Sequence, residues 1–303
     1  NNKSKVKIAP KYYKTQKQKL LIELMEDNLL KTSDLFLGKD EELKIDIITK
    51  VRNSLMHDIV IIHPGSKYQM LVPTLMQSDD FKVFANELLK TFDTGVTDLA
   101  VENIAFDKYF GDEDDLKNEI IEAIGEEGSV VLNTESGGVL VSKVDDNYSV
   151  KKVVANHLNK LGSKIAFDLM DESDGTQRLL DIIPALNGIL NENITFIIDE
   201  IDQSLHPSLL KALIKKTMSS KENQGQLIFS THESNLLDLD IFRQDEIWFA
   251  EKNKNTQCTE LYSLSEFKPR YDLDIRKGYL KGRFGGIPFL ASLDELNWIS
   301  ENA

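Results

Sequence analysis

The sequence predicts an α/β fold: a central sheet flanked by helices, with a smaller antiparallel β/helical part attached. Three observations carry that expectation. Apolar runs at 58–63, 194–199 and 226–230 have strand length and end in polar or turn-forming residues. Segments of helical period accompany them, at 79–92, after Gly175 and from Pro207. From about 165 to 250 strand and helix alternate, which is the pattern of a sheet covered by helices.

The elements follow in chain order. The first twenty residues are lysine-rich and weakly periodic, an arm or loose lead-in. A helical stretch runs from about 19 to 57, interrupted near Gly38-Lys39-Asp40. DIVIIH (58–63), closed by Pro64-Gly65, reads as a strand. Apolar residues at 81, 84, 85, 88, 89 and 92 predict a helix over 79–92, with Ser78 or Asp79 as N-cap and Gly95 closing it. An acidic helix carries Leu116, Ile120, Ile121 and Ile124, and its opening run at 112–115 favours the helix dipole. Short β-type runs at 130–132 and 139–144 flank a Gly137-Gly138 turn. After the strand at 226–230 come a strand at 246–250 and a hairpin partner at 260–264. There is no internal repeat. The expected division is 1–57 (basic arm and helical segment), 58–164 (mixed α/β lobe with short antiparallel strands) and 165–303 (core and C-terminal tail).

Composition bounds the function. With 303 residues, 41% hydrophobic and 28% charged, the chain is neither disordered, collagen-like nor a disulfide scaffold. A net charge of −14 argues against a nucleic-acid coat protein, because phosphate binding needs cationic surface. The charge is uneven. Residues 1–22 hold seven lysines and no acid, and 268–283 hold Lys268, Arg270, Arg276, Lys277, Lys281 and Arg283 against two aspartates. Tyr271, Tyr279 and Phe284 interleave the second cluster, which suits nucleic-acid contact. A solvated face, or pairing with the acidic remainder, is the preferred account of it. Cys258 is the single cysteine, so no intrachain disulfide forms, which fits a reducing cytoplasm. The aliphatic run at 59–62 is far too short to span a bilayer, and no signal peptide opens the chain. Asn1 rather than Met comes first, so a preceding segment is expected.

The main chemistry-bearing string is TFIIDE (195–200). An apolar strand delivers Asp199 and Glu200 at its C-terminal end, where ligands bind in α/β sheets. One carboxylate can hold Mg²⁺ and the other can orient or deprotonate water. A strand ending in a solvated acidic turn has the same pattern. Upstream, Ser173-Asp174-Gly175 precedes an amphipathic helix with Leu179, Leu180, Ile183 and Leu186, exposing N–H groups and a hydroxyl toward an anion; a plain helix cap reads the same. Downstream, Leu205-His206-Pro207 opens a helix, and QLIFSTH (226–232) is a second strand ending in His232.

That order resembles the ABC-type ATPase heads of the RecF and SMC group, with the motifs as signature, Walker B, D-loop and switch histidine. The signature departs from the common Leu-Ser-Gly-Gly-Gln form at Glu172 and Asp174. The strings ESDGTQRLL (172–180), IIDEIDQSLHP (197–207), QLIFSTHESNLLD (226–238), DEIWFAEKN (245–253), ELYSLSEFKPR (260–270) and YLKGRFGGIPFL (279–290) resemble the AAA/ABC ATPase family that includes abortive-infection and other phage-defence proteins. LLKTFDTGVTDL (88–99) extends the likeness upstream.

The resemblance implies an ABC-ATPase head, C-terminal lobe, using ATP and Mg²⁺. Asp199 would support Mg²⁺, Glu200 would act as general base and His232 would sense the γ-phosphate. Ser173 and Gly175, with Gln177 among the nucleotide-facing residues, would meet the γ-phosphate bound by the opposite protomer, and His206 would sit in the D-loop. Such heads dimerise around two ATP molecules, here to control a partner effector in cytoplasmic antiviral defence. The chain has no G-x-x-x-x-G-K-[S/T] string; Leu37-Gly38-Lys39-Asp40 and Gly65-Ser66-Lys67 both fail the pattern. The expectation is therefore the C-terminal portion of a longer ATPase, whose P-loop lobe lies ahead of Asn1 and which binds ATP poorly alone. Two rivals stand beside it: a RecF-like repair ATPase whose ATP state gates DNA binding, and a scaffold module without nucleotide chemistry. Arg52 and His57 fit the Arg-x4-His spacing of HEPN-type ribonucleases, a short pattern that arises by chance. His63 and His157 lack metal-ligand companions at useful spacing, so zinc is not expected.

Overall fold

The computed structural model describes residues 8–24, 36–39, 43–65, 71–125, 128–134, 137–144, 147–253 and 255–287. The first three lysines of the basic arm, the middle of the expected 19–57 helix, Asp40, Ser66-Lys67 and the tail from Pro288 lie outside them. The chain forms two compact units, Asn1–Ile201 with Glu222–Ser230, and Asp202–Lys221 with Thr231–Ala303.

In the first unit, helices α1 (Gln16–Leu24) and α2 (Asp46–His57) lead into strand β1 (Ile59–Ile62). Helices α3 (Leu71–Gln77) and α4 (Asp79–Thr91) follow. Ser78 caps α4, its hydroxyl accepting from Phe81 N–H, as its position before the first apolar-periodic residue predicts. Gly95 is not the residue that ends α4. The helix ends at Thr91 with Phe92 as its C-cap, and Asp93 takes the left-handed turn (φ 51°), with Gly95 (φ 83°) two residues beyond.

Strand β2 (Asp98–Ala105), short helix α5 (Phe106–Phe110), helix α6 (Asp114–Ile124) and strands β3 (Ser129–Thr134), β4 (Gly137–Val144), β5 (Asn147–Leu158) and β6 (Lys164–Asp168) build an antiparallel sheet. Its order is β2-β5-β4-β3, with β6 also on β5. Gly137 and Gly138 are not the turn. They open β4 opposite Thr134 and Asn133, so the connection falls at 135–136, outside the described residues. Phe106, Phe110, Ile120 and Ile124 from α5 and α6 pack with Val139, Val141 and Val150 of the sheet. The other side of the sheet meets α3 and α4, which also contact the long helix α7 (Asp174–Asn191).

Helix α7 organises this unit. Its buried residues occupy most of its circumference, as expected of a helix inside a layered core. It packs on β7 (Thr195–Ile198), the middle strand of a three-stranded parallel sheet ordered β1-β7-β8, where β8 is Gln226–Phe229. A Cβ on Gly188 of α7 would lie 2.7 Å from the Phe196 ring, so glycine there permits the close helix–strand approach. The opposite face of this sheet is open. Ile61, Ile197 and Ile228 stand in register across it, with Ile61 and Ile228 55% and 46% exposed. Parallel sheets are ordinarily covered on both faces.

The second unit holds helix α8 (Pro207–Met218), hairpin β9 (Trp248–Lys252) with β10 (Thr259–Ser263), and short helix α9 (Ile275–Leu280). Its core gathers Ile247, Phe249, Leu264, Ile275 and Phe284. The sequence places both hairpin strands within two residues of their observed bounds. Among the described residues, no helix is long and apolar enough to cross a membrane.

Candidate functional site

The C-terminal ends of β7 and β8 carry the site. Beyond β7 the ladder continues: Asp199 N–H donates to Ile62 O (2.9 Å), and Ser230 N–H donates to Ile198 O (3.0 Å). The chain then turns through Glu200, which adopts φ 48°, a left-handed conformation that a glutamate takes only when its surroundings impose it.

Two residues impose it. Ser230 Oγ accepts from Glu200 N–H (2.9 Å) and donates to the Asp199 carboxylate, while Ser230 O accepts from Ile201 N–H (3.1 Å). One serine thus ties both acidic residues to the end of β8. From beneath, the buried guanidinium of Arg178 on α7 donates through one Nη to the carbonyls of Asp199 (3.0 Å) and Glu200 (3.1 Å). The carboxylate of Asp199 faces solvent and Glu200 is half-buried. The elbow is therefore held through its backbone and by the Ser230 bond to the Asp199 carboxylate, while Asp199 stays exposed.

The turn before α7 is also built from the sequence upward. Ser173 is the N-cap: its Oγ accepts from Thr176 N–H (3.3 Å) and pairs with Thr176 Oγ1 (3.0 Å). Gly175 lies in the first helical turn. Gln177 Nε2 donates to the carbonyls of Glu172 (2.8 Å) and Met170 (3.1 Å), so this side chain braces the turn. The Glu172 carboxylate, only 7% exposed, bonds His157 Nε2 at 2.6 Å. His157, to which the sequence assigns no metal-ligand companions, is thus the anchor that holds the turn to the end of β5.

In the second unit His206 is the N-cap of α8; its Nδ1 accepts from Ser208 N–H (3.3 Å) and pairs with Ser208 Oγ (2.7 Å). His232 is exposed, and its N–H donates to Asp202 Oδ1 (3.3 Å). The structure therefore joins Asp199 and Glu200 through Ser230 and Arg178, and places Ser173, Gly175 and Gln177 at the head of the helix that carries Arg178. His206 and His232 are each held within their own unit. Sequence reasoning missed Arg178 and Ser230.

A family model described as "AAA domain, putative AbiEii toxin, Type IV TA system" matches residues 77–238, more than half of the chain. The chain belongs to this AAA domain family. A comparison with curated proteins returns no match. The matched stretch of the AAA domain runs from the end of α3 through every residue of the elbow, the Ser173 turn, His206 and His232. It stops short of the basic cluster at 268–283. AAA domains are nucleotide-dependent ATPases in general, and a mixed α/β architecture with a parallel sheet flanked by helices accords with that.

The residues of the elbow fit a magnesium ion. Their donor set is carboxylate and hydroxyl oxygen, which suits a hard cation. Among the described residues no group of three or more His, Cys, Asp or Glu gathers. Mg²⁺ does not need one, because it keeps several waters and takes one or two carboxylates with substrate phosphates.

In the second unit Arg243 and Asp245 shift one another as an exposed ion pair, and Asp238 and Tyr262 are perturbed by partly buried contacts. The hydrogen bond from Lys211 (2.6 Å) holds the Asp238 carboxyl below the usual carboxylate range. Burial and the hydrogen bond to Glu251 push the Tyr262 phenol up to about 12. The Tyr262 hydroxyl lies 2.9 Å from Glu251 Oε2 and 3.0 Å from Phe284 O, and Gly286 N–H donates to the same Glu251 oxygen. This clasp seats the end of the basic segment.

Proposed function

We propose that this AAA domain is an ABC-type ATPase head that hydrolyses ATP with Mg²⁺. Its ATP-dependent pairing with a second head would control an effector protein in bacterial antiviral defence in the cytoplasm. The observation that carries the reading is the elbow at Glu200. A left-handed glutamate, held by Ser230 and Arg178 at the end of the central parallel strand, sits beside a solvent-facing aspartate. Strain held in place by surrounding hydrogen bonds belongs where a side chain must point one way.

The roles follow from what each group can do. Asp199 holds the cation, with Ser230 fixing its carboxylate. When bound, Mg²⁺ supplies charge neutralisation on the transferring phosphoryl group. Glu200 accepts the proton of the attacking water. Ser173 and Gly175 offer a hydroxyl and backbone N–H groups to the γ-phosphate held by the opposite head, and Gln177 keeps that turn in shape. His206 lies in the D-loop between heads, and His232 reports the γ-phosphate. No G-x-x-x-x-G-K-[S/T] string is present, so a preceding P-loop lobe or another chain supplies the phosphate cradle.

ATP turnover tests this in the parental reading frame and in this chain alone. The longer protein is expected to hydrolyse ATP and this chain not to. Glu200→Gln in the longer protein is expected to abolish turnover and accumulate an ATP-bound dimer. Unchanged turnover in Glu200→Gln would remove Glu200 as base, and robust turnover by this chain alone would remove the separate cradle.

A second reading, a RecF-like ATPase whose ATP state gates DNA binding, draws on one observation: Lys268, Arg270, Arg276, Lys277, Lys281 and Arg283 are all exposed. Salt-dependent DNA binding lost on charge reversal at Arg276 and Arg283 would favour it.

A further inference from the structure

We propose that the β5–β6 hairpin is a self-complementary docking surface for a second copy of this chain. The tip of the hairpin presents an apolar knob. Leu161 is 90% exposed, yet its turn is built rigidly: Asn159 Oδ1 accepts from Leu161 N–H and Ser163 N–H, both at 2.9 Å. Asn159 N–H donates to Ser163 O, Gly162 N–H donates to Asn159 O, and Gly162 supplies φ 78°. A leucine displayed on a preorganised turn loses little conformational entropy when it is buried by a partner.

The same hairpin carries a receptacle. A groove of about 280 Å³ opens beside the knob, lined among others by His157, Ile165, Phe167, Asp171 and Glu172. Its walls are fixed, because His157 is bonded to Glu172 and packs edge-on against Phe167 with ring centres 5.1 Å apart. Leu158, Ile165, Phe167 and Met170 are each 40–56% exposed. With Leu161 they form a cluster of five large apolar side chains within a short stretch of chain. Such clusters on a soluble protein mark contact sites.

Two further features select a second copy as the occupant. The first is charge complementarity. Lys160 stands beside the knob and Asp171 borders the groove; both are exposed, and neither forms an ion pair among the described residues. A partner seated on this groove has to bring an apolar side chain next to a cation, and the hairpin itself carries that pair. The second is symmetry. In a two-fold contact residue i meets j while j meets i, so a knob and groove side by side on one patch are satisfied twice over. Leu161 of each copy enters the groove of the other, and Lys160 of each meets Asp171 of the other.

The contact needs no nucleotide, so it stands or falls apart from the ATPase reading. Sedimentation velocity of the nucleotide-free chain over a concentration series tests it. The wild-type chain is expected to populate a dimer, and Leu161→Asp to weaken it by about tenfold or more. A side chain this exposed can be replaced without disturbing the fold, and circular dichroism verifies that. Lys160→Asp and Asp171→Lys should each weaken the dimer, and the double variant should recover it. A wild-type chain monomeric throughout the series, a dimer indifferent to Leu161→Asp, or a double variant no better than either single change would overturn the proposal.

Discussion

Replacing Ser230 by Ala removes the hydroxyl that bonds both the Glu200 N–H and the Asp199 carboxylate. A neutral intramolecular bond contributes about 1 kcal/mol net, and one to a charged group about 1.5–3 kcal/mol. Asp199 and Ser230 both face solvent, so water replaces most of the second term and the low end applies. Opposing the loss, a non-glycine residue held at positive φ carries roughly 1–3 kcal/mol of strain, part of which is released when the Glu200 N–H loses its anchor. The balance is a local destabilisation of about 1–2 kcal/mol, equivalent to roughly 5–30-fold more frequent opening of the elbow. Hydrogen–deuterium exchange of the peptide spanning 195–201 reads this directly. The Ser230→Ala peptide should exchange faster by that factor, while peptides from β3 and β4 stay unchanged. Ser230→Thr, which keeps the hydroxyl, should restore protection. Equal exchange in wild type and Ser230→Ala would refute the claim that this hydroxyl holds the elbow.

Other consequences are equally measurable. Gly188→Ala places a methyl 2.7 Å from the Phe196 ring, and denaturant unfolding should show a loss of about 1–3 kcal/mol from overpacking. One of the eight tyrosines should ionise near pH 12 in a spectrophotometric titration, and Tyr262→Phe should delete that step. Because the folded Tyr262 pKa is raised, the stability this phenol contributes is complete below the ordinary tyrosine pKa of about 10 and is lost as pH rises through about 12. The Asp238 carboxyl has the opposite sign. Its depressed pKa adds stability above the ordinary carboxylate range, lost as pH falls through the folded value, so Lys211→Met should flatten the acid limb of the unfolding curve.

Much of the fold could be read from residue order, for identifiable reasons. β1, β7 and β8 are short apolar runs with nothing to confuse them. Ser78, Ser173 and His206 all serve as N-caps, because their side chains satisfy N–H groups that the helix leaves open. The antiparallel sheet was only half legible. β5 sets two lysines before two valines in KKVVANHL, which breaks the period-2 alternation of a strand, and its partner in β2 lies about 50 residues away, so local periodicity understates both strands. At the site, Asp199 and Glu200 were visible as carboxylates, but the left-handed turn at Glu200 was not, because glutamate gives no sign of positive φ. Arg178 did leave a trace. Arg178, Ile182, Ala185 and Ile189 form a second buried stripe on α7, and a lone charge heading an apolar stripe needs a buried partner. Ser230 left none, since a serine at a strand end is ordinary until its two bonds are seen.

The parallel pairing of β1 with β7 also dictates the order in which the molecule can assemble. Residues 59–62 find their partners only about 130 residues further along the chain, whereas strands β2 to β6 pair entirely within 98–168. The antiparallel sheet can form from partners nearer in sequence, and the strand end bearing Asp199 is expected to close later because its contacts with β1 are more remote. At ribosomal speeds of about 5–20 residues per second, Ile59-Val60-Ile61-Ile62 waits on the order of ten seconds before β7 emerges to cover it. During synthesis β1 is therefore the described strand that stays unpaired longest, and a holding chaperone would be expected to cover it.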